Sequence, residues 1–309
     1  MTNKILVTGG TGFIGSYLVR EMLKGGMDFV VLANRNTGFA PPANMERASL
    51  LDKEGLREVF KRRRPDAVIH LAAIATAVYS ETSDFYTVNA CGTENLLEAA
   101  QESCRPGTLI VLASTAGVYG NQDVDFLHEG LPFNPCNHYS CSKMVMEVLS
   151  RNYSGGLDIK IVRPFNVIGS GQKENFLVPK LVRAFALAQE TIALGNVASV
   201  RDYVPADFCV KVLLKIVRQK ELCPNILNIC YGGAHSCLDL IDVLKDLTGL
   251  SPKIEIAESF VRKNEVKRMV GDGTRLAKFI GGEKKETVRE TLAQMLSAAC
   301  SIAARRKYI

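Results

Sequence analysis

Short apolar runs alternate with amphipathic stretches through the first half of the chain. The runs are KILVTG (4–9), FVVLAN (29–34), AVIHLAA (67–73), TLIVLAS (108–114) and IKIVRPF (159–165). Their apolar, β-branched composition and short length predict strands buried on both faces. After the first run, Phe13, Ile14, Tyr17, Leu18, Met22 and Leu23 fall on one side of a helix. Helical patterns also cover 53–63, 84–103 and 138–154. This alternation predicts an α/β fold, a doubly wound parallel sheet whose ligand crevice lies at the carboxyl ends of its strands. After Pro164 the pattern loosens, with helices expected at 176–188, 206–219, 236–248 and 284–300 and short strands near 192–194, 225–229 and 253–256. The expected organisation is a sheet domain over 1–165, to which 206–230 returns, and a smaller lobe over 166–309 covering the crevice.

Composition narrows the classes. Of 309 residues, 47% are hydrophobic and 23% charged, the balance of a soluble globular protein. No apolar run is long enough to span a bilayer. MTNKILVTGG leads straight into a strand, so no secretory signal is expected. Nine cysteines without a CxxC pair make neither a disulfide nor a zinc framework. They are expected mostly as buried small hydrophobes, in a cytoplasmic protein without a metal. The net charge of +6 is modest. Lys61-Arg62-Arg63-Arg64 precedes Pro65 and suits a helix end, and no basic, aromatic-interleaved surface argues for nucleic acid.

The chemistry begins at TGGTGFIG. Gly9, Gly12 and Gly15 follow the first strand and open a helix. In that setting glycines allow a tight turn, close approach of a pyrophosphate and tight helix packing, and the helix N-terminus supplies N–H donors to the anion. This is the fingerprint of a Rossmann fold that binds a dinucleotide. At the end of the second strand, an acid would bind the adenosine ribose and repel a 2′-phosphate. Asn34 and Arg35 stand there instead, and a guanidinium meets a phosphate well, so NADP(H) is expected over NAD(H).

At 139–143 the chain reads YSCSK. Tyr139 and Lys143 share one helix face, where an ammonium favours the phenolate and moves a tyrosine toward acid–base work. Lys143 also suits the nicotinamide ribose. Ser114 and Thr115 end the fourth strand pattern, in position to hydrogen-bond a substrate oxygen.

Together, TGGTGFIG, HLAA (70–73), VNACGTENLLEAA (88–100), STAGVYG, YSCSK, RPFNVIGSGQ (163–172), SVRDYVPADF (199–208) and VRKNEVKRMVGD (261–272) resemble the extended short-chain dehydrogenase/reductase family that acts on nucleotide sugars. The resemblance covers essentially the whole chain. It implies a Rossmann domain over 1–165 and a mainly substrate-binding lobe over 166–309. It also implies Tyr139 as acid–base, Lys143 as its assistant and Thr115 as binder of the reacting oxygen. Cofactor contacts fall on Gly9, Gly12, Phe13, Ile14, Gly15, Asn34, Arg35, Leu71, Ala72, Ala73, Asn89, Tyr139, Lys143 and Pro164. Substrate contacts fall on Thr76, Thr115, Asn166, Phe176, Val178, Arg201 and Arg262. One departure is Ser49, where the family often has an adenine-contacting Asp, and this leaves the role of nearby Asp52 open.

Within the family, 4,6-dehydratases follow the threonine with Asp-Glu, and the bifunctional epimerase-reductases that make GDP-fucose place a cysteine near this strand end. Here Ala116 and Gly117 transfer no proton. The C-terminal pattern most resembles GDP-4-keto-6-deoxymannose reductases, which implies NADPH-dependent reduction of a C4 ketone. The alternatives are an NAD-dependent nucleotide-sugar 4-epimerase and, in another class, a non-catalytic NADP-binding sensor. Such sensors tend to lose the tyrosine or the lysine, and this chain has both. The resemblance also implies a homodimer formed through the helices at 84–103 and 138–154.

Overall fold

The computed structural model describes residues 4–34, 45–75, 81–258, 266–281 and 286–306. Its centre is a seven-stranded parallel sheet. The first half supplies β1 (Ile5–Thr8), β2 (Phe29–Ala33), β3 (Met45–Arg47), β4 (Ala67–His70), β5 (Thr108–Ala113) and β6 (Leu157–Pro164). The helices between them are α1 (Phe13–Lys24), α2 (Lys53–Arg63), α3 (Ser83–Tyr86), α4 (Gly92–Ser103) and α5 (His138–Ser150). The second half adds β7 (Asn166–Ile168), α6 (Leu177–Ala186), β8 (Thr191–Leu194), β9 (Val200–Arg201), β10 (Tyr203–Pro205) and α7 (Ala206–Arg218). Then follow β11 (Ile226–Ile229), β12 (His235–Ser236), α8 (Cys237–Thr248), β13 (Lys253–Ile256), β14 (Arg268–Met269), α9 (Thr274–Ile280) and α10 (Val288–Arg306).

The sheet order is β11-β6-β5-β4-β1-β2-β3. Strand order reverses between β1 and β4, which places the crevice of a doubly wound sheet over their carboxyl ends. The register aligns those ends, pairing Thr8 with His70 and His70 with Leu112. Strand side chains alternate between two buried clusters, Ile5 and Val7 on one face and Leu6 on the other. A third cluster, around Leu181, Ile241 and Leu292, is the core of the second half. Tyr17 on α1 donates its hydroxyl to the Ser170 carbonyl at 2.8 Å, tying that helix to the loop after β7.

Several elements differ from the sequence pattern for identifiable reasons. The expected helix over 84–103 is divided, because Thr87–Cys91 is π-helical between α3 and α4. β3 is only MER and polar, so no apolar run announces it. Glu46 within it holds both Arg62 and Arg63 of α2 at 2.6 Å, which gives the basic run a partner. Asp52 caps α2 by accepting from the Gly55 N–H at 3.0 Å. The cysteines are all free, but only Cys209, Cys223, Cys230 and Cys237 are buried, while Cys91 and Cys300 are exposed. Among the described residues, no helix is long and apolar enough to cross a membrane.

Candidate active site

The glycine turn is built by backbone contact. Gly9 has φ +69, a left-handed conformation that favours glycine, and a Cβ there would lie 2.6 Å from the Ala72 nitrogen. At Gly15 a Cβ would overlap the Gly9 carbonyl oxygen, so α1 can sit this close to the turn only with glycine. Gly12 donates its N–H to the Gly9 carbonyl at 2.9 Å and remains exposed at the start of α1. No acidic residue lies in the first turn of α1, so no carboxylate of that turn offsets the dipole there. Phe13, Ile14 and Gly15 carry the first-turn N–H groups that a helix cannot satisfy internally. These features fit the pyrophosphate of a dinucleotide.

Leu71 and Ala72 are fixed beside that turn. Their N–H groups donate to the Thr8 carbonyl at 3.1 Å and the Thr8 hydroxyl oxygen at 3.2 Å. Ala73, like both of them, is half-buried. His70 completes the arrangement and its tautomer follows from donor counting. Thr93 gives its hydroxyl hydrogen to the Asn89 carbonyl, so it can only accept from His70 Nε2–H at 2.9 Å. His70 Nδ1 then accepts from the Thr8 hydroxyl at 2.7 Å. Burial, and secondarily the Lys143 ammonium, push the imidazole down to about 3, so it is neutral and structural.

Asn89 is fully buried, and its amide is already engaged. Its oxygen accepts from Ile74 N–H, and its nitrogen donates to the Ile74 carbonyl and to Ser142 Oγ. It therefore pins the segment after β4 to α5.

Three residues at the end of β5 meet α5. Thr115 accepts from the Gly117 N–H at 3.1 Å and shares a hydrogen bond with the Tyr139 side chain. The Ala113 carbonyl accepts from Lys143 Nζ at 2.7 Å. Ser114 points elsewhere, donating to Glu147 Oε1 at 2.5 Å, which removes it as a substrate contact. α5 itself starts at a cap, where Asn137 accepts from the Ser140 N–H at 2.9 Å.

Burial is the largest influence on Tyr139 and pushes the phenol up to about 12, with a Thr115 side-chain hydrogen bond acting the other way. The same burial pushes Lys143 down to about 8, with Glu147 opposing. Desolvation acts on both partners, which the i, i+4 spacing alone cannot reveal.

The remaining positions fall at the strand ends and in the second half. Asn34 is exposed just after β2, while Arg35, Thr76 and Arg262 lie outside the described residues. Pro164 ends β6 opposite Ile229. Asn166 opens β7, with its N–H and side-chain amide both donating to the Asp202 carbonyl at 3.0 and 3.3 Å. Arg201 in β9 is half-buried and donates to the Val200 carbonyl at 2.9 Å. Phe176 is 37% exposed immediately before α6, whereas Val178 is buried in the core of the second half.

Sequence reasoning missed Asp202. Its buried carboxylate accepts from the N–H groups of Tyr231, Gly232 and Gly271, holding the segments after β11 and β14 beside β9 and β10. The available signal was an acid inside VRDYVP, between two short strand-forming segments.

With this geometry established, the comparisons with known proteins identify the group. Residues 5–230 match the model of the NAD dependent epimerase/dehydratase family. The chain belongs to that family. It is 36% identical, over 94% of its length and 96% of the other's, to a GDP-6-deoxy-D-talose 4-dehydrogenase of Aggregatibacter actinomycetemcomitans. It is 28% identical, over 96% and 97%, to a GDP-6-deoxy-D-mannose reductase of Pseudomonas aeruginosa. Among solved structures it resembles RMD from Pseudomonas aeruginosa complexed with NADPH, with TM-score 0.84, 26% identity and coverage of 97% and 100%. It also resembles the Thermus thermophilus UDP-glucose 4-epimerase complex with NAD, with TM-score 0.82, 27% identity and coverage of 96% and 98%. The chain is thus an enzyme of the NAD dependent epimerase/dehydratase family, and the relatives named here act on nucleotide sugars.

Proposed function

We propose that this chain catalyses the NADPH-dependent reduction of the C4 ketone of a nucleotide-linked 4-keto-6-deoxy sugar, similar to GDP-4-keto-6-deoxymannose, with Tyr139 as proton donor. The carrying observation is the placement of Tyr139 and Lys143 on one face of α5 against the end of β5, where the Ala113 carbonyl holds Lys143 Nζ at 2.7 Å. Tyr139 is half-buried there, and a phenol is protonated at neutral pH. Thr115 already accepts from Gly117, so its own hydrogen can go to the phenol oxygen. The phenol proton is then free for the developing C4 alkoxide. When bound, the reduced nicotinamide supplies the hydride. Lys143 adds positive charge near the phenol and eases its proton release.

The strand end supports reduction over dehydration. Ala116 and Gly117, directly after Thr115, carry no side chain that moves a second proton. The two relatives named for GDP-6-deoxy sugars support the GDP and 6-deoxy assignments. On this reading, Gly9, Gly12, Phe13, Ile14 and Gly15 hold the pyrophosphate of NADP, and Asn34 and Arg35 meet its 2′-phosphate. Leu71, Ala72, Ala73 and Pro164 line the cofactor, and Asn89 serves it by fixing Ile74. Asn166, Arg201 and Arg262 take the substrate pyrophosphate, Phe176 flanks the base, Val178 anchors the start of α6 and Thr76 reaches the sugar.

The test offers a GDP-4-keto-6-deoxy sugar with NADPH or NADH and follows loss of reduced-nicotinamide absorbance. Stoichiometric consumption preferring NADPH is expected, with Arg35→Ala cutting that preference by roughly ten- to a hundred-fold. The second reading, an NAD-dependent 4-epimerase, is favoured by the likeness to the NAD-bound Thermus enzyme. It predicts no net consumption and NAD released only on denaturation.

The same reading includes a homodimer through α4 and α5. On α5, Val148 is 45% exposed, and Cys141, Val145 and Leu149 lie half-buried on its outward side. Sedimentation should give twice the 33.8 kDa chain mass, and Val148→Lys should give the monomer. A wild-type monomer at micromolar concentration would remove this element.

A further inference from the structure

Helix α5 presents Tyr139, Lys143 and Glu147 at successive i, i+4 positions, and three consecutive residues at the end of β5 meet them. Thr115 reaches Tyr139, the Ala113 carbonyl accepts from Lys143, and Ser114 donates to Glu147. The proposed chemistry uses the first two pairs and leaves the third unexplained. Glu147 is 1% exposed, and its carboxylate also accepts from Arg163 Nε at 2.9 Å and Nη2 at 2.6 Å. Arg163, 2% exposed, is fixed in turn by Tyr119, whose hydroxyl accepts from Nη1 at 2.9 Å and donates to Asn228 at 2.7 Å.

The charges in this region are unequal. Lys143 is 1% exposed; its amine donates to the Ala113 carbonyl of β5 and lies 3.7 Å from Met146 Sδ, and the ionisable groups that act on it are Glu147, one turn along its own helix, and His70 of β4. Behind Glu147 stands Arg163 from β6. His70 is neutral, and the Glu147 carboxylate, paired with Arg163, is the buried acid one helical turn from Lys143. A guanidinium does not release its proton, whereas a buried ammonium does. Removing the carboxylate therefore places the whole electrostatic cost on Lys143.

We propose that Glu147 is a positioning residue that keeps Lys143 charged in the working pH range and, through Ser114, fixes the strand end that carries Thr115. This rests on the reading that Tyr139 and Lys143 perform the acid–base step. Burial already pushes Lys143 down to about 8, and Glu147 is the group opposing that shift. Without it, reductive activity is lost at lower pH, since loss follows the deprotonation of Lys143.

The experiment follows the Lys143 amine in cofactor-free protein carrying ¹³C at the lysine ε-carbons, with the resonance assigned by its disappearance in Lys143→Arg. The pH profile of kcat/KM for ketosugar reduction is measured alongside. In Glu147→Gln the amine midpoint should fall by about one pH unit or more, and the alkaline limb of activity should move with it. Glu147→Asp, which retains the charge, should shift both by less. A residue that only fills space would lower Tm and kcat without moving the midpoint, so a folded Glu147→Gln with an unmoved midpoint overturns the proposal. Should that variant not fold around an unpaired Arg163, the double variant Glu147→Gln, Arg163→Met leaves no lone buried guanidinium. Its midpoint should lie below that of Arg163→Met alone, which keeps the carboxylate, and equal midpoints in the two overturn the proposal. If wild type fails to reduce the ketosugar, the functional reading falls, while the amine titration still decides the role of Glu147.

Discussion

Tyr139→Phe should lower kcat for ketosugar reduction by about a thousandfold while leaving NADPH affinity largely intact. The substitution removes one oxygen from a ring that packs edge-to-face on Phe85, with centroids 6.4 Å apart. That packing is retained by phenylalanine, so the fold around α5 should survive. What disappears is the only hydroxyl that the proposed mechanism uses to protonate the C4 alkoxide. Thr115 cannot take over easily, because its oxygen is oriented by the Gly117 N–H. Full activity in this variant, measured beside an unchanged Tm, would remove Tyr139 from the chemistry.

Gly15→Val should weaken NADPH binding by roughly a hundredfold. Its Cβ would overlap the Gly9 carbonyl and approach the Gly10 Cα at 2.7 Å, both backbone atoms that cannot rotate away. Helix α1 must then retreat from the turn, misplacing the N–H groups of its first turn. Losing about two hydrogen bonds to a charged group costs about 3 kcal/mol, and every 1.4 kcal/mol is tenfold in affinity. The same overpacking should reduce stability by about 1–3 kcal/mol. Calorimetric titration with NADPH checks the first effect and thermal unfolding the second. Gly26→Ala is a useful control, since a Cβ there meets nothing within 4 Å, although its φ is positive. Unaltered affinity in Gly15→Val would mean that this turn does not carry the pyrophosphate.

Legibility followed the range of the physics involved. TGGTGFIG could be read directly because positive φ at Gly9 and backbone contact at Gly15 leave their mark in residue type. Tyr139 and Lys143 were visible because a helix sets their spacing locally. The strands of the central sheet were visible as apolar runs, except β3, which is held by an ion pair between Glu46 and two arginines of α2. α9 is a seven-residue helix and too short for its period to stand out. The division of the helix after 84 depends on Thr87–Cys91, whose Asn89 is bound to Ile74 and Ser142, contacts made across the fold.

The direction of Tyr139's shift was hidden for a related reason. A sequence shows that a lysine stands four residues away. It does not show that the lysine is itself buried beneath a strand end and directed at the Ala113 carbonyl. Ser114 and Thr115 look interchangeable in STAGVYG, yet the pleat sends one toward Glu147 and the other toward Tyr139. Asp202 was overlooked because its partners are N–H groups of loops far along the chain.

The most direct test of the central claim is turnover of a GDP-4-keto-6-deoxy sugar with NADPH carrying deuterium at the transferable position of the nicotinamide. The product is examined by mass spectrometry and NMR, and cofactor oxidation is followed in parallel. The account predicts one deuterium at C4 of the sugar for each NADPH oxidised. A sugar that gains no deuterium while NADPH is not consumed, from a protein that yields NAD on denaturation, would contradict it.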